Sequence, residues 1–299
     1  MQMRTMVLVP LVLACAACST RVLERDSCSW VAPRSGMVDI GGTEMYYDLS
    51  GTGPPVLFLH AGIAHSRMWD LQAQELSTSH QIIRCDLRGF GRTAGGDVRF
   101  SFHQDVATLM DSLGIPRVHL VGCSLGGRVA IDFALAYPER VLSLVLCSPA
   151  VSGMPPTPEL AAIDSMEGAF LRKNDPGRAA DAEIRAWVVG PSREPEEVSS
   201  SLREKVKAML LQNYSLPAPE GGKSVPLEPR AMTRLEQIQA PTLIIMGDKD
   251  VPSFQDLSAE AAQRIPCARR VVVAGAAHLV NMEKPEEFNR ILIDFLTRR

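Results

Sequence analysis

Short, nearly uninterrupted apolar runs alternate along this chain with longer stretches of helical period. Pro55–His60 (PVLFLH), Gln81–Asp86 (QIIRCD), Val118–Val121, Val141–Cys147 (VLSLVLC), Thr242–Met246 and Ala268–Val273 are the runs. Their length, their Val/Ile/Leu content and the Gly and Pro around them predict strands. Where the run is apolar on both faces, as in Val141–Cys147, the strand belongs in a parallel sheet covered on both sides. Val38–Ile40 and Met45–Leu49, around Gly41-Gly42, predict two shorter strands.

The intervening segments predict helices. One begins at Met68-Trp69 and runs toward Leu76. Ser101 with Gln104 has the spacing of a capping box, ahead of an apolar face of Phe102, Val106, Leu109/Met110 and Leu113. Phe254–Ile265 is another. Pro285 opens a closing helix that would bury Phe288, Ile291, Leu292, Phe295 and Leu296. Strands alternating with helices give an α/β class. From Ser148 to about Arg234 the pattern changes to helical segments cut by prolines from Pro155 to Pro229, with main helices expected at Ala182–Val189 and Glu196–Tyr214. An insertion of this kind, about 150–234, reads as a cap over the site.

The N-terminus differs from the rest. Arg4, the apolar run Met6–Leu13 and the small residues before Cys18 have the form of a secretory signal, residues 1–18, too short to span a bilayer. Cys18, or Cys15, is the candidate for lipidation and membrane attachment, as in a bacterial lipoprotein. Residues 19–36 are expected to be a polar linker, and 37–299 the folded domain. The expectation is an exported protein; a start at Met37 would make it cytoplasmic.

Composition narrows the function. With 299 residues, 46% of them hydrophobic, the chain can bury one large core. A net charge of −3, with acids and bases mixed, offers no basic surface for nucleic acid. The single C-x-x-C pair, Cys15 and Cys18, lies in the signal, and Cys85, Cys123 and Cys147 fall in or beside apolar strands. Neither a metal nor a redox site is expected, and no cofactor.

The chemistry centres on Val118–Gly127, VHLVGCSLGG. This is a strand, a tight turn carrying Ser124, and the start of a helix. A serine on such a turn sits at strained backbone angles, so Gly122 and Gly126 must be small. The helix N-terminus beside it favours developing negative charge. Acyl transfer needs two fixed N–H donors for the oxyanion. Leu125 N–H is one candidate; the other comes from the loop after PVLFLH, Gly62 ahead of Ile63, with His60 holding that loop. A serine nucleophile also needs a base and an orienting carboxylate. Of the six histidines, His278 alone follows a predicted strand directly, behind small residues. Asp248 and Asp250 both end the Thr242–Met246 strand; Asp250 is the better placed as partner, with Asp248 shaping the turn.

The stretches HAGIAHSRMWD, DLRGFGRT, GCSLGG, PTLIIMGDKD and GAAHLVNMEKPEEF, in this order, resemble the signatures of the α/β-hydrolase superfamily from about Val38 to Arg299. The resemblance implies a mostly parallel eight-stranded sheet with helices on both faces and a helical cap inserted after the sixth strand. It implies a Ser124–Asp250–His278 triad, with Gly62 and Leu125 as oxyanion donors. It is similar to the branch of small esterases, enol-lactonases, C–C bond hydrolases and cofactor-free haloperoxidases. His60-Ala61-Gly62 departs from the usual His-Gly pair. Serine at the turn argues against the aspartate-dependent dehalogenases and epoxide hydrolases.

The expected function is hydrolysis of a small to medium carboxylic ester or lactone through an acyl-enzyme on Ser124. C–C hydrolysis or perhydrolysis with the same triad is an alternative, as is a non-catalytic binding protein on this fold. Few aromatics fall in the cap (Phe170, Trp187 and Tyr214), which predicts an aliphatic or mixed pocket.

Overall fold

The computed structural model describes residues 34–217 and 224–297. The expected signal, the lipidation candidates Cys15 and Cys18, and most of the expected linker lie outside them. Eight strands form one sheet: β1 (Arg34–Asp39), β2 (Glu44–Ser50), β3 (Pro55–Leu59), β4 (Gln81–Cys85), β5 (Val118–Cys123), β6 (Val141–Cys147), β7 (Thr242–Gly247) and β8 (Arg269–Val273). Their order is β1-β2-β4-β3-β5-β6-β7-β8. β2 runs antiparallel to both its neighbours, and the other pairings are parallel.

The two-residue period of a strand sorts side chains onto two faces. Along β3, Val56 and Phe58 join one apolar cluster, Leu57 and Leu59 another. β5 does the same with Val121 against Leu120, and β7 with Ile245 against Ile244. Burial on both faces is why these strands read as unbroken apolar runs. β8 is an edge, and its exposed Arg269 and Arg270 discourage pairing with another chain.

Helices cover both faces. α1 (Asp70–Leu76) lies in the first cluster, α2 (Phe102–Ser112) and α3 (Leu125–Ala136) in the second. The cap follows β6 and holds α4 (Pro158–Arg172), α5 (Pro176–Glu183), a π-helical turn Ile184–Val189 and α6 (Ser200–Tyr214). After it come α7 (Pro252–Arg264), the single turn α8 (Val280–Glu283) and α9 (Pro285–Thr297). α9 buries Phe288, Ile291, Leu292, Phe295 and Leu296, the expected face. The cap is rooted in the first cluster through Leu202, Val206, Met209 and Leu210 of α6. None of the described helices is long and apolar enough to cross a membrane.

Five local expectations need correction. β1 begins at Arg34, inside the expected linker, because backbone pairing from Arg34↔Leu49 to Asp39↔Glu44 requires no apolar period. The helix expected from Met68 starts as a 3-10 turn, Ser66–Trp69, and becomes α-helical only at Asp70. The capping box at Ser101 does not form, since the hydroxyl donates instead to the Val225 carbonyl at 2.7 Å. In the cap, the first expected helix starts earlier, where the Asp175 side chain accepts from Arg178 N–H and Pro176 opens the first turn. The second starts later, at Ser200, because Pro195–Glu197 forms a separate 3-10 turn.

Candidate active site

β3, β5, β7 and β8 all deliver their following loops to the same edge of the sheet. In a parallel sheet this carboxyl edge is where ligands sit. Ser124 leaves β5 at φ 52°, ψ −111°, conformational space that L-residues avoid. Its N–H donates to Cys147 O at 3.0 Å, and its carbonyl accepts from Arg128 and Ala150 N–H. A Cβ at Gly122 would overlap Gly126 O, and one at Gly126 would overlap Leu59 O. The two glycines let β3, β5 and α3 close on the turn.

The five residues singled out from the sequence meet here. Gly62, Ser124, Leu125 and His278 line one cavity of about 430 Å³, together with Ile63 and Phe90. Asp250 lies behind His278, its two carboxylate oxygens each 3.0 Å from Nδ1. A carboxylate only accepts, so Nδ1 carries the proton and Nε2 is left as the basic nitrogen. Asp250 is itself held by Val251 N–H at 2.7 Å. Asp248 accepts from Gly275 N–H at 2.6 Å and joins the β7 turn to the His278 loop. Among the described residues the Ser124 hydroxyl and His278 Nε2 make no hydrogen bond, and the amides of Gly62, Ile63 and Leu125 donate to no backbone carbonyl. His60 is structural: Nδ1 faces Ala61 O and Nε2 accepts from Leu87 N–H, each at 2.8 Å, and burial pushes its pKa down to about 4.

A family model for the alpha/beta hydrolase fold matches residues 54–285. The chain belongs to this family. It is 29% identical over 255 residues to a carboxylesterase, YbfK, of Bacillus subtilis, covering 81% of this chain and 80% of that one. It is 29% identical over 279 residues to the 2-hydroxy-6-oxo-6-phenylhexa-2,4-dienoate hydrolase of Comamonas testosteroni, covering 87% and 94%. Among solved structures, a thermophilic esterase from Thermogutta terrifontis superposes with a TM-score of 0.75 at 27% identity, over 89% of this chain and 98% of its own.

What this α/β-hydrolase adds lies in its cap. The rings of His278, Trp187 and Phe254 form a three-way cluster, with Trp187 4.5 Å and Phe254 4.9 Å from His278 and 5.3 Å from each other. The His278 N–H donates to the Trp187 carbonyl at 3.2 Å. Trp187 reaches inward from the π-helical turn, a widened geometry that often marks functional positions. Arg193 is buried and donates to Val188 O, Val189 O and Gly275 O as well as to both carboxylate oxygens of Glu283, one of which also accepts from Ala277 N–H. The sequence offers Trp187 as a cap aromatic but no motif that places it against His278, and none that marks the buried Arg193.

Of the two pocket types expected, the cavity wall is the mixed one, with Ile63, Leu125 and Leu210 beside charged residues. Asp164, Glu167 and Glu183 line it from the cap, and Arg128 lines it from α3. Burial pushes Glu183 up to about 8, and Glu167 and Asp164 add to the shift. In the unfolded chain Glu183 would release its proton near the ordinary 4.5. The folded state holds the extra proton between those values, so stability falls as pH rises through that window. Asp132, pushed up to about 6 by burial, contributes the same fall at lower pH. Buried histidines with lowered pKa act oppositely, but only below 6.5. Between about pH 7 and 8 Glu183 therefore dominates. Calorimetric Tm is expected to drop across that interval, and the drop to flatten in Glu183→Gln. A wild-type Tm that is level there would contradict a buried, proton-retaining Glu183.

Proposed function

We propose that this protein is a serine hydrolase that cleaves a small to medium carboxylic ester or lactone through an acyl-enzyme on Ser124. The observation that carries the reading is the convergence on one cavity of a serine on a strained turn and a histidine whose far nitrogen is held by a buried carboxylate. His278 Nε2 takes the Ser124 proton as Oγ attacks the carbonyl carbon. Asp250 keeps the imidazole in the required tautomer and stabilises the imidazolium that forms. The oxyanion is met by the N–H of Leu125 and that of Gly62; a Cβ built on Gly62 would lie 3.9 Å from the Leu125 side chain, so the two donors are neighbours. The alcohol leaves with the proton from His278. Water, activated by the same nitrogen, then releases the acid.

A cavity of about 430 Å³ suits a compact substrate rather than a long acyl chain. The esterase relatives support the reaction type, and the Comamonas testosteroni relative shows that C–C hydrolysis occurs within the same family.

The test is labelling of the protein with a fluorophosphonate, followed by peptide mapping of the adduct and turnover of a p-nitrophenyl ester series. The expected result is one adduct, on Ser124, with turnover that peaks at short to medium acyl chains. Absence of an adduct would overturn the nucleophile. Turnover confined to long-chain esters would overturn the substrate size.

A further inference from the structure

The polar groups around the Ser124 cavity are segregated by charge. From the cap come Asp164 and Glu167 on α4 and Glu183 on α5. Among the described residues none of the three is in an ion pair. Glu167 accepts from the Tyr214 hydroxyl at 2.7 Å. Glu183 is only 6% exposed, faces the cavity, and has the Trp187 indole as its one neighbouring donor. Arg128, the cationic residue in the lining, is set against Asp132 and Arg230 and not against these three. Buried carboxylates ordinarily have a cation beside them, because an unpaired one is costly. Here no cation stands beside Glu183, which keeps its proton instead; a cation entering the cavity, beside the proposed nucleophile, would supply the partner its ionised form lacks.

The aromatic lining points the same way. Trp187 and Tyr214 border the cavity next to Glu183 and Glu167. Aromatic faces combined with carboxylates are the chemistry that holds an ammonium group, by ring quadrupole and by charge. A solvated acidic face would explain the exposed Asp164, but not a nearly inaccessible Glu183 that opens onto the catalytic cavity.

We propose that the substrate is an ester or lactone bearing a cationic nitrogen on the part that extends under the cap, where Glu183 and Glu167, flanked by Trp187 and Tyr214, receive it. The proposal rests on the hydrolase reading. Binding of the cation lowers the pKa of Glu183, so complex formation near neutral pH releases a proton.

The experiment compares butyrylcholine with its uncharged carbon isostere, 3,3-dimethylbutyl butyrate, by kcat/KM at low ionic strength. The wild type is expected to favour the cationic ester by about tenfold or more, a preference that shrinks with added salt. The ratio is expected to fall toward unity in Glu183→Gln and Glu167→Gln, tested singly and together, with Tm measured to confirm folding. Equal rates for the two esters, or a preference that survives both substitutions, would overturn the proposal while the Ser124 adduct leaves the hydrolase reading standing.

If neither ester is turned over, binding decides the question. Titration calorimetry with choline and with 3,3-dimethylbutanol, in two buffers of different ionisation enthalpy, is expected to show tighter choline binding. It is also expected to show proton release that Glu183→Gln abolishes. No binding, or equal binding of the two alcohols, would overturn the cation site.

Discussion

Alanine at Ser124, at His278, or at both is expected to give one common loss in kcat, about 10⁴- to 10⁶-fold, instead of two losses that multiply. The reason is that, in the proposed mechanism, the hydroxyl and the imidazole perform a single step. Without the base, Oγ keeps its proton; without Oγ, the base has nothing to activate. Asp250→Asn is expected to be milder by about one to two orders of magnitude, because His278 remains present and loses only its orientation and tautomer. The check is ester turnover for each single variant and the Ser124/His278 double, with Tm recorded for all. If the two single losses multiplied, or if His278→Ala kept a tenth of the activity, His278 could not be the base.

The second large effect is on stability. Arg88 and Asp105 form a buried, two-pronged ion pair, with Nε and Nη2 each 2.9 Å from a carboxylate oxygen. Nη2 also donates to the carbonyls of Ile40 and Gly41, and the guanidinium lies 4.8 Å from the Phe100 ring centre. Burial raises the Asp105 pKa even against Arg88, so the cost of desolvation exceeds the local attraction. Removing one partner strands the other. Asp105→Ala is expected to destabilise the fold by about 3–5 kcal/mol and to lower Tm by about 10 °C. The pair Arg88→Met with Asp105→Leu is expected to recover much of that loss, since neither charge remains to be buried. A double-mutant cycle by denaturant unfolding checks this, and additive losses would show that the pair is not coupled. Arg88 sits at the start of the loop that brings Gly89 and Phe90 to the cavity, so activity should fall with stability.

The sheet was legible, and the five candidate residues could be singled out, because each leaves a local mark. Central strands buried on both faces are apolar throughout, and Ser124 required glycine at 122 and 126. His278 and Asp250 directly follow strands, where loops meet the carboxyl edge. The cap left weaker marks. α4 has no buried residue, so no core face shows in its sequence. Ser101 had the right spacing for a cap, yet a partner more than a hundred residues away took its hydroxyl. Asp164, Glu167 and Glu183 look like solvated acids in sequence, and only the packing of α5 turns Glu183 inward. Counting cap aromatics therefore missed a charged wall.

The π-helical turn has a consequence for protein engineering. Exchanging caps among relatives is the obvious route to new specificity, since the cap supplies half the cavity wall. In this chain, however, the Trp187 carbonyl holds the backbone of His278, and Arg193 clamps the loop in front of it through Gly275 and Glu283. A transplant that carried away residues 184–193 would remove the support of the proposed general base along with the substrate contacts. Chimeras joined on the far side of that segment would keep the support of the proposed acid–base pair native while the rest of the roof is replaced.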